Sequence, residues 1–126
     1  MENSEFLNLR EQMTKDRFTM CDRKAVGYTE GNDDRHWNFK QIGEEVGEPP
    51  MKVLGVYLLK HIHSLNHYLA TGEESGEGVA QTIMDIMNYL DLLFAMIQEQ
   101  SSKYDLTTPG DVGFAEQEKE EHDAST

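Results

Sequence analysis

The chain has 126 residues, 11 Lys and Arg against 24 Asp and Glu, a formal net charge of −13 and one cysteine. Such a length suits one domain whose core comes from roughly 100 residues, and a lone thiol excludes an intrachain disulfide and any multi-cysteine zinc site. The charge argues against nonspecific nucleic-acid binding, which needs clustered Lys and Arg on phosphates; it leaves divalent cations, or a basic protein that meets a DNA-like acidic surface.

No apolar run approaches the ~20 residues that cross a bilayer. Met1 to Arg10 lacks the basic flank and apolar stretch of a signal peptide, so the expected location is the cytosol, with no membrane partner. A first helix is expected from Phe6 to about Cys21, where Phe6, Leu9 and Met13 recur at near-helical spacing without Gly or Pro. Cys21 reads as a half-buried helix residue. Gly27 to Asp34 is loop-like, and Asp33 or Asp34 is placed to cap a second helix over about Arg35 to Val46. Its apolar members are Trp37, Phe39, Ile42 and Val46. Gly47 suits the C-terminal cap, and Pro49-Pro50 stops further winding.

Proline fits a first helical turn, so a third helix starts at Pro50 or Met51. Its apolar arc, from Leu54 and Tyr57 to Tyr68 and Leu69, is wider than a surface helix needs. After a Gly- and Glu-rich turn, a fourth helix covers about Glu77 to Gln98. Val79, Ile83, Ile86, Leu90, Leu93, Phe94 and Ile97 share its expected core face. Beyond Tyr104 the pattern dissolves into an acidic stretch too poor in apolar residues to offset its ordering entropy. The expectation is an all-α bundle of about four helices over residues 1–105, with a disordered acidic tail over 106–126.

Opposite the apolar face of the fourth helix, Glu77, Gln81, Asp85 and Asn88 are spaced four, four and three, forming one polar ladder. Leu92, Met96 and Tyr89 lie on the same side, which suggests burial on both sides of the helix, and a buried carboxylate needs a compensating cation. Three readings compete: a solvated face beside a dimer contact, an Asp85 that hydrogen-bonds a neighbouring helix, and a divalent-cation site. Mg²⁺ suits carboxylate and amide oxygens better than Zn²⁺ does. Glu73 and Glu74 before this helix, and Glu44, Glu45 and Glu48 at the end of the second, are further acids. Lys60 falls on one side of the third helix with His63 and His67, as a point charge for a phosphate. His61 reads as a packed, hydrogen-bonded histidine. The nearly all-round apolar fourth helix argues against a monomer.

In order, Gly27-Tyr28 and Asn38-Phe39, the stretch Val53 to His61, a Gly/Glu turn, then Glu77, Asp85, Asn88, Tyr89 and Leu90 resemble a family. It comprises small phage and prophage proteins grouped with nucleotide-modification-associated and deoxynucleoside triphosphate pyrophosphohydrolase-like proteins, distant kin of the MazG and dimeric dUTPase superfamily. The resemblance spans about residues 23–97. It implies an all-α enzyme, dimeric or higher, that uses Mg²⁺ (or Mn²⁺) to hydrolyse a (d)NTP to the monophosphate and pyrophosphate in a bacterial host cytosol. It implies that Asp85 and Glu77 are metal ligands, that Asn88 positions them or the nucleotide, that Lys60 holds phosphate, and that Tyr28, Asn38 and Phe39 wall the nucleotide. Glu44, Glu45 and Glu48 match the family's E-E-x-x-E cluster by letters, but Gly47 and Pro49-Pro50 end the helix there, so the three cannot all face inward. Where the MazG pattern has E-x-x-D, this chain has Thr82-Ile83-Met84-Asp85. A relative that binds nucleotides without turnover, and an acidic phage-type inhibitor that imitates DNA, are the alternatives.

Overall fold

Glu2 begins the ordered structure by capping a helix: it and Glu5 form a reciprocal capping box, with the Glu5 carboxylate accepting the Glu2 N–H at 3.3 Å. The computed structural model describes residues 1–101, so the expected tail at 106–126 lies outside the described residues. Among those residues there are four helices, α1 (Asn3–Thr29), α2 (Trp37–Val46), α3 (Pro50–Thr71) and α4 (Val79–Ser101), and no strand. The chain is all-α. It divides into two compact units, Met1–Leu93 and Phe94–Thr126; in the second, the described residues are the closing turns of α4.

The first helix runs eight residues past its expected end at Cys21. It passes through Gly27, whose cost in a helix interior is about 1 kcal/mol, because this half of α1 is the packed half. Arg17, Cys21 and Thr29 are buried, and the Thr29 hydroxyl donates to the Ala25 carbonyl at 2.8 Å. The loop signal shows instead at Glu30 and Gly31, which take φ values of 51° and 80° and end the helix by donating to the Val26 carbonyl. The first thirteen residues are all exposed, including Phe6, Leu9 and Met13, so the apolar spacing that announces α1 is not its packing face.

Asp34 organises the start of α2. Its carboxylate accepts the His36 N–H at 2.9 Å and the Lys40 ammonium at 2.6 Å, and its own N–H donates to the Asn32 side chain. These bonds, the Lys40 one above all, hold the Asp34 carboxyl below the ordinary carboxylate value. Helix α2 then starts at Trp37, two residues later than expected. At its far end Gly47 adopts φ 73°, and the N–H groups of Gly47 and Glu48 both reach the Gly43 carbonyl. Pro50 opens α3 in the first turn, and Gly72 closes it with φ 73°.

The largest correction to the sequence reading concerns α4. Two of its polar positions are buried, Thr82 (5% exposed) and Asp85 (9%), whereas Ile83, Met87 and Leu90 are 36%, 37% and 48% exposed. Val79, Ile86 and Leu93, expected in the core with Ile83 and Leu90, are only half-buried. The buried apolar side chains of the first unit are Cys21, Phe39, Val53 and Leu54, drawn from α1, α2 and α3.

Gly43 is buried under the α2–α3 connection, and a Cβ there would meet the Glu48 carbonyl oxygen at 2.5 Å. That oxygen belongs to backbone and cannot swing away. Gly43→Ala is therefore expected to lower the urea-unfolding free energy by about 1–3 kcal/mol, and an unchanged midpoint would contradict the close approach.

Candidate functional site

Two cross-helix ion pairs hold α1 against α4. Arg17 donates to the Asp91 carboxylate, and Lys24 Nζ lies 3.5 Å from Asp85 Oδ1. Residues 17 and 24 ascend α1 while 91 and 85 descend α4, so the two helices run antiparallel along this seam. Between the pairs on α1 sits Cys21, whose thiol burial pushes its pKa up, opposed in part by the nearby Arg17 cation. Asp85 has further partners. Gln81 donates to it at 2.9 Å, and His61 Nδ1 on α3 stands 3.9 Å away. The Asp85 side chain is 12% exposed, so its charge rests mainly on Lys24 and Gln81.

Beside this seam opens a cleft of about 100 Å³ lined by residues of all four helices and the loop before α2. Its wall is aromatic. Phe39, Tyr57 and Tyr89 form one cluster with ring centroids 6.0 to 6.4 Å apart; the Tyr57 and Tyr89 rings are nearly parallel, and Phe39 meets both edge-on. His61 adds a tilted contact to Tyr89 at 5.2 Å. Two side-chain amides, Asn38 and Asn88, and the guanidinium of Arg35 complete the polar lining, with Tyr28 at the rim. Arg35 lies 3.3 Å from Asp22 and stays half exposed. The loop is anchored by His36, whose Nε2 lies 3.2 Å from the Leu92 carbonyl; a carbonyl only accepts, so that nitrogen carries the hydrogen.

The sequence-selected residues separate into two groups. Tyr28, Asn38, Phe39, Asn88 and Tyr89 converge on the cleft although they come from three helices. The acids do not converge. Glu77 lies in the turn before α4, two residues short of the helix, and is exposed, so the expected ladder starts at Gln81. Glu44, Glu45 and Glu48 are exposed at the end of α2. Lys60, His63 and His67 are exposed on α3, with His67 facing Glu73 at 3.3 Å. Among the described residues no three His, Cys, Asp or Glu side chains are grouped to hold an ion. Asp85, the buried acid among the described residues, is paired with Lys24 instead of with a second carboxylate.

Sequence reading missed Arg17, Lys24, Arg35 and His36. The first two follow Cys21 in a helical rhythm, at four residues before and three after, a signal that needed α1 to continue past residue 21. No helix among the described residues is long and apolar enough to cross a membrane. No family model, no curated protein and no solved structure matches the chain.

Burial pushes the Tyr89 phenol from the ordinary 10.0 up to about 12, helped by Tyr28, Asp85 and Tyr57 nearby. The folded pKa is raised, so Tyr89 favours the fold fully below the unfolded value of 10.0 and progressively less as pH climbs towards about 12. Ultraviolet titration should find one phenol that ionises only near that upper limit and is missing from Tyr89→Phe. The same variant should lose less stability than the parent chain as pH rises between the two values; parallel alkaline profiles would contradict the burial.

Proposed function

We propose that this chain binds a nucleotide, taking the base into the cleft against the aromatic wall of Tyr57 and Tyr89, which the buried Phe39 backs, and leaving the phosphates outside. The observation that carries the reading is the combination of an aromatic wall with two amides and one guanidinium in a single small opening. Aromatic faces stack on any base, and each Asn amide offers both a donor and an acceptor to its polar edge. The opening is smaller than the ~300 Å³ at which drug-sized sites begin, which suits one flat ring system and not a whole triphosphate. Arg35 is the cation of the lining and the natural partner for a phosphate that emerges at the rim; Lys60 is a second candidate.

Hydrolysis of a (d)NTP to the monophosphate and pyrophosphate, with Mg²⁺ or Mn²⁺, is the second reading. A buried carboxylate, Asp85, lies close enough to Tyr89 of the cleft wall to raise its pKa, and the ordered motifs agree with that family. The scatter of Glu77, Glu44, Glu45 and Glu48 weighs towards binding without turnover. A homo-oligomer in the cytosol belongs to either reading, and neither involves direct contact with nucleic acid. A DNA-mimicking inhibitor is less well supported, because the exposed acids are interleaved with Lys15, Lys52 and Arg35 on the same helices and loops.

A thermal-shift panel of the common NTPs and dNTPs, with and without Mg²⁺, tests the proposal. A ligand at a hundredfold its dissociation constant should stabilise the chain by about 2.7 kcal/mol. Tyr57→Ala and Asn38→Ala should weaken that binding tenfold or more while the helical circular-dichroism signal persists. Pyrophosphate release selects the hydrolase, stabilisation without release selects the binder, and no shift with any nucleotide ends both.

A further inference from the structure

The cleft has a neutral interior and an acidic surround. Arg35 is the one charged side chain among the described residues that line it. That guanidinium already faces Asp22 at 3.3 Å, and the Asp22 side chain is 72% exposed. The cations that α1 and α2 bring to either side are matched in the same way, Arg17 by Asp91, Lys24 by Asp85 and Lys40 by Asp34. Two more acids flank the opening along the chain. Glu30 directly follows the lining residue Thr29, Asp33 stands two places before Arg35, and both are exposed. Consecutive Cα atoms lie about 3.8 Å apart, so both carboxylates act on the rim from within roughly the 10 Å Debye length of 0.1 M salt.

Given the nucleotide reading, on which this rests, we infer that the ligand is a nucleoside with at most one phosphate, and that the acidic rim selects against di- and triphosphates. A neutral ring and sugar meet no repulsion inside an uncharged cleft. At about 100 Å³ the cleft has no room for phosphates beside a ring, so they must sit at the rim. A terminal phosphate carries about −1.5 to −2 charge near neutral pH, and the guanidinium fork of Arg35 takes it through two parallel N–H donors. Arg35 leaves Asp22 to do so, an easy exchange because an exposed ion pair is weak. Each phosphate beyond the first adds charge that no further lining cation meets, beside Asp22, Glu30 and Asp33, and like charges brought together are disfavoured. Lys60 stands one turn beyond Tyr57 on α3, exposed, and lines no part of the opening.

Titration calorimetry on the full chain at low ionic strength tests this. The probes are the nucleoside and its 5′-mono-, di- and triphosphate for each common base, with and without Mg²⁺. The monophosphate of the preferred base should bind at least as tightly as its nucleoside. The triphosphate should bind at least tenfold more weakly than the monophosphate without Mg²⁺, and still more weakly with it. Added salt and Asp22→Asn should each narrow that gap, the substitution by about threefold, with the helical signal unchanged. A triphosphate that binds as tightly as the monophosphate, through Lys60 or otherwise, overturns the inference and leaves the nucleotide reading standing. So does a gap that neither salt nor Asp22→Asn alters. Binding by no member of any series sinks the nucleotide reading, and this inference with it.

Discussion

The pairing of Lys24 with Asp85 across the α1–α4 seam constrains the rest of the molecule. A carboxylate as secluded as Asp85 is costly unless a cation or several donors stand against it, and Lys24 and Gln81 supply both. With Arg17 and Asp91 forming a second pair two helical turns along, the seam fixes the rotation of α4 as well as its direction. That rotation has two consequences. It brings Asn88, Tyr89 and Leu92 to the cleft, where they meet Phe39 and Tyr57. It also turns Ile83, Met87 and Leu90 away from the chain's own core. Polar pairing thus sets the geometry that apolar periodicity sets in most bundles.

The same pairing changes the chemistry that the acids can support. An ionised Asp85 alone in an apolar setting would recruit a metal; one already beside an ammonium group does so less readily, since part of its field is spent on Lys24. The aromatic and amide character of the cleft needs no metal to recognise a planar ring. A nucleotide-binding reading accordingly rests on side chains that the fold brings together. A hydrolytic one depends on acids that stand apart from one another in the present arrangement.

The helices were legible in the sequence because their boundaries are written in strong local chemistry. Pro50 at a helix start and Gly47 at a helix end permit few alternatives. Gly27 and Tyr28 carry a weak breaker signal that suggests a loop from residue 27, and tertiary packing of Cys21 and Thr29 overrides it, so α1 continues to Thr29. Tyr28, Asn38, Phe39, Asn88 and Tyr89 all fall within motifs that the sequence sets in order, but no spacing brings the motifs together; the fold lines one cleft with them. The acidic constellation was not. Letter spacing treats Glu77 as part of α4, but Gly78, with φ 88°, places it outside the helix. The identity of the cation facing Asp85 was equally hidden, since Lys24 lies 61 positions away along the chain and no periodicity links residues on different helices. The face of α4 that turns inward was misjudged for the same reason: periodicity finds a stripe, and only the neighbours decide whether it is covered by this chain.

The internal neutralisation of Asp85 is the claim on which this account turns, and a double-mutant cycle with Lys24→Met and Asp85→Asn measures it directly. Urea unfolding of the parent, the two single variants and the double variant, each with and without Mn²⁺, gives the coupling energy and its dependence on metal. The account predicts a favourable coupling of about 1 kcal/mol that Mn²⁺ leaves unchanged. Additive single effects, together with a Mn²⁺ stabilisation of the parent that Asp85→Asn abolishes, would contradict it and return Asp85 to the role of a metal ligand.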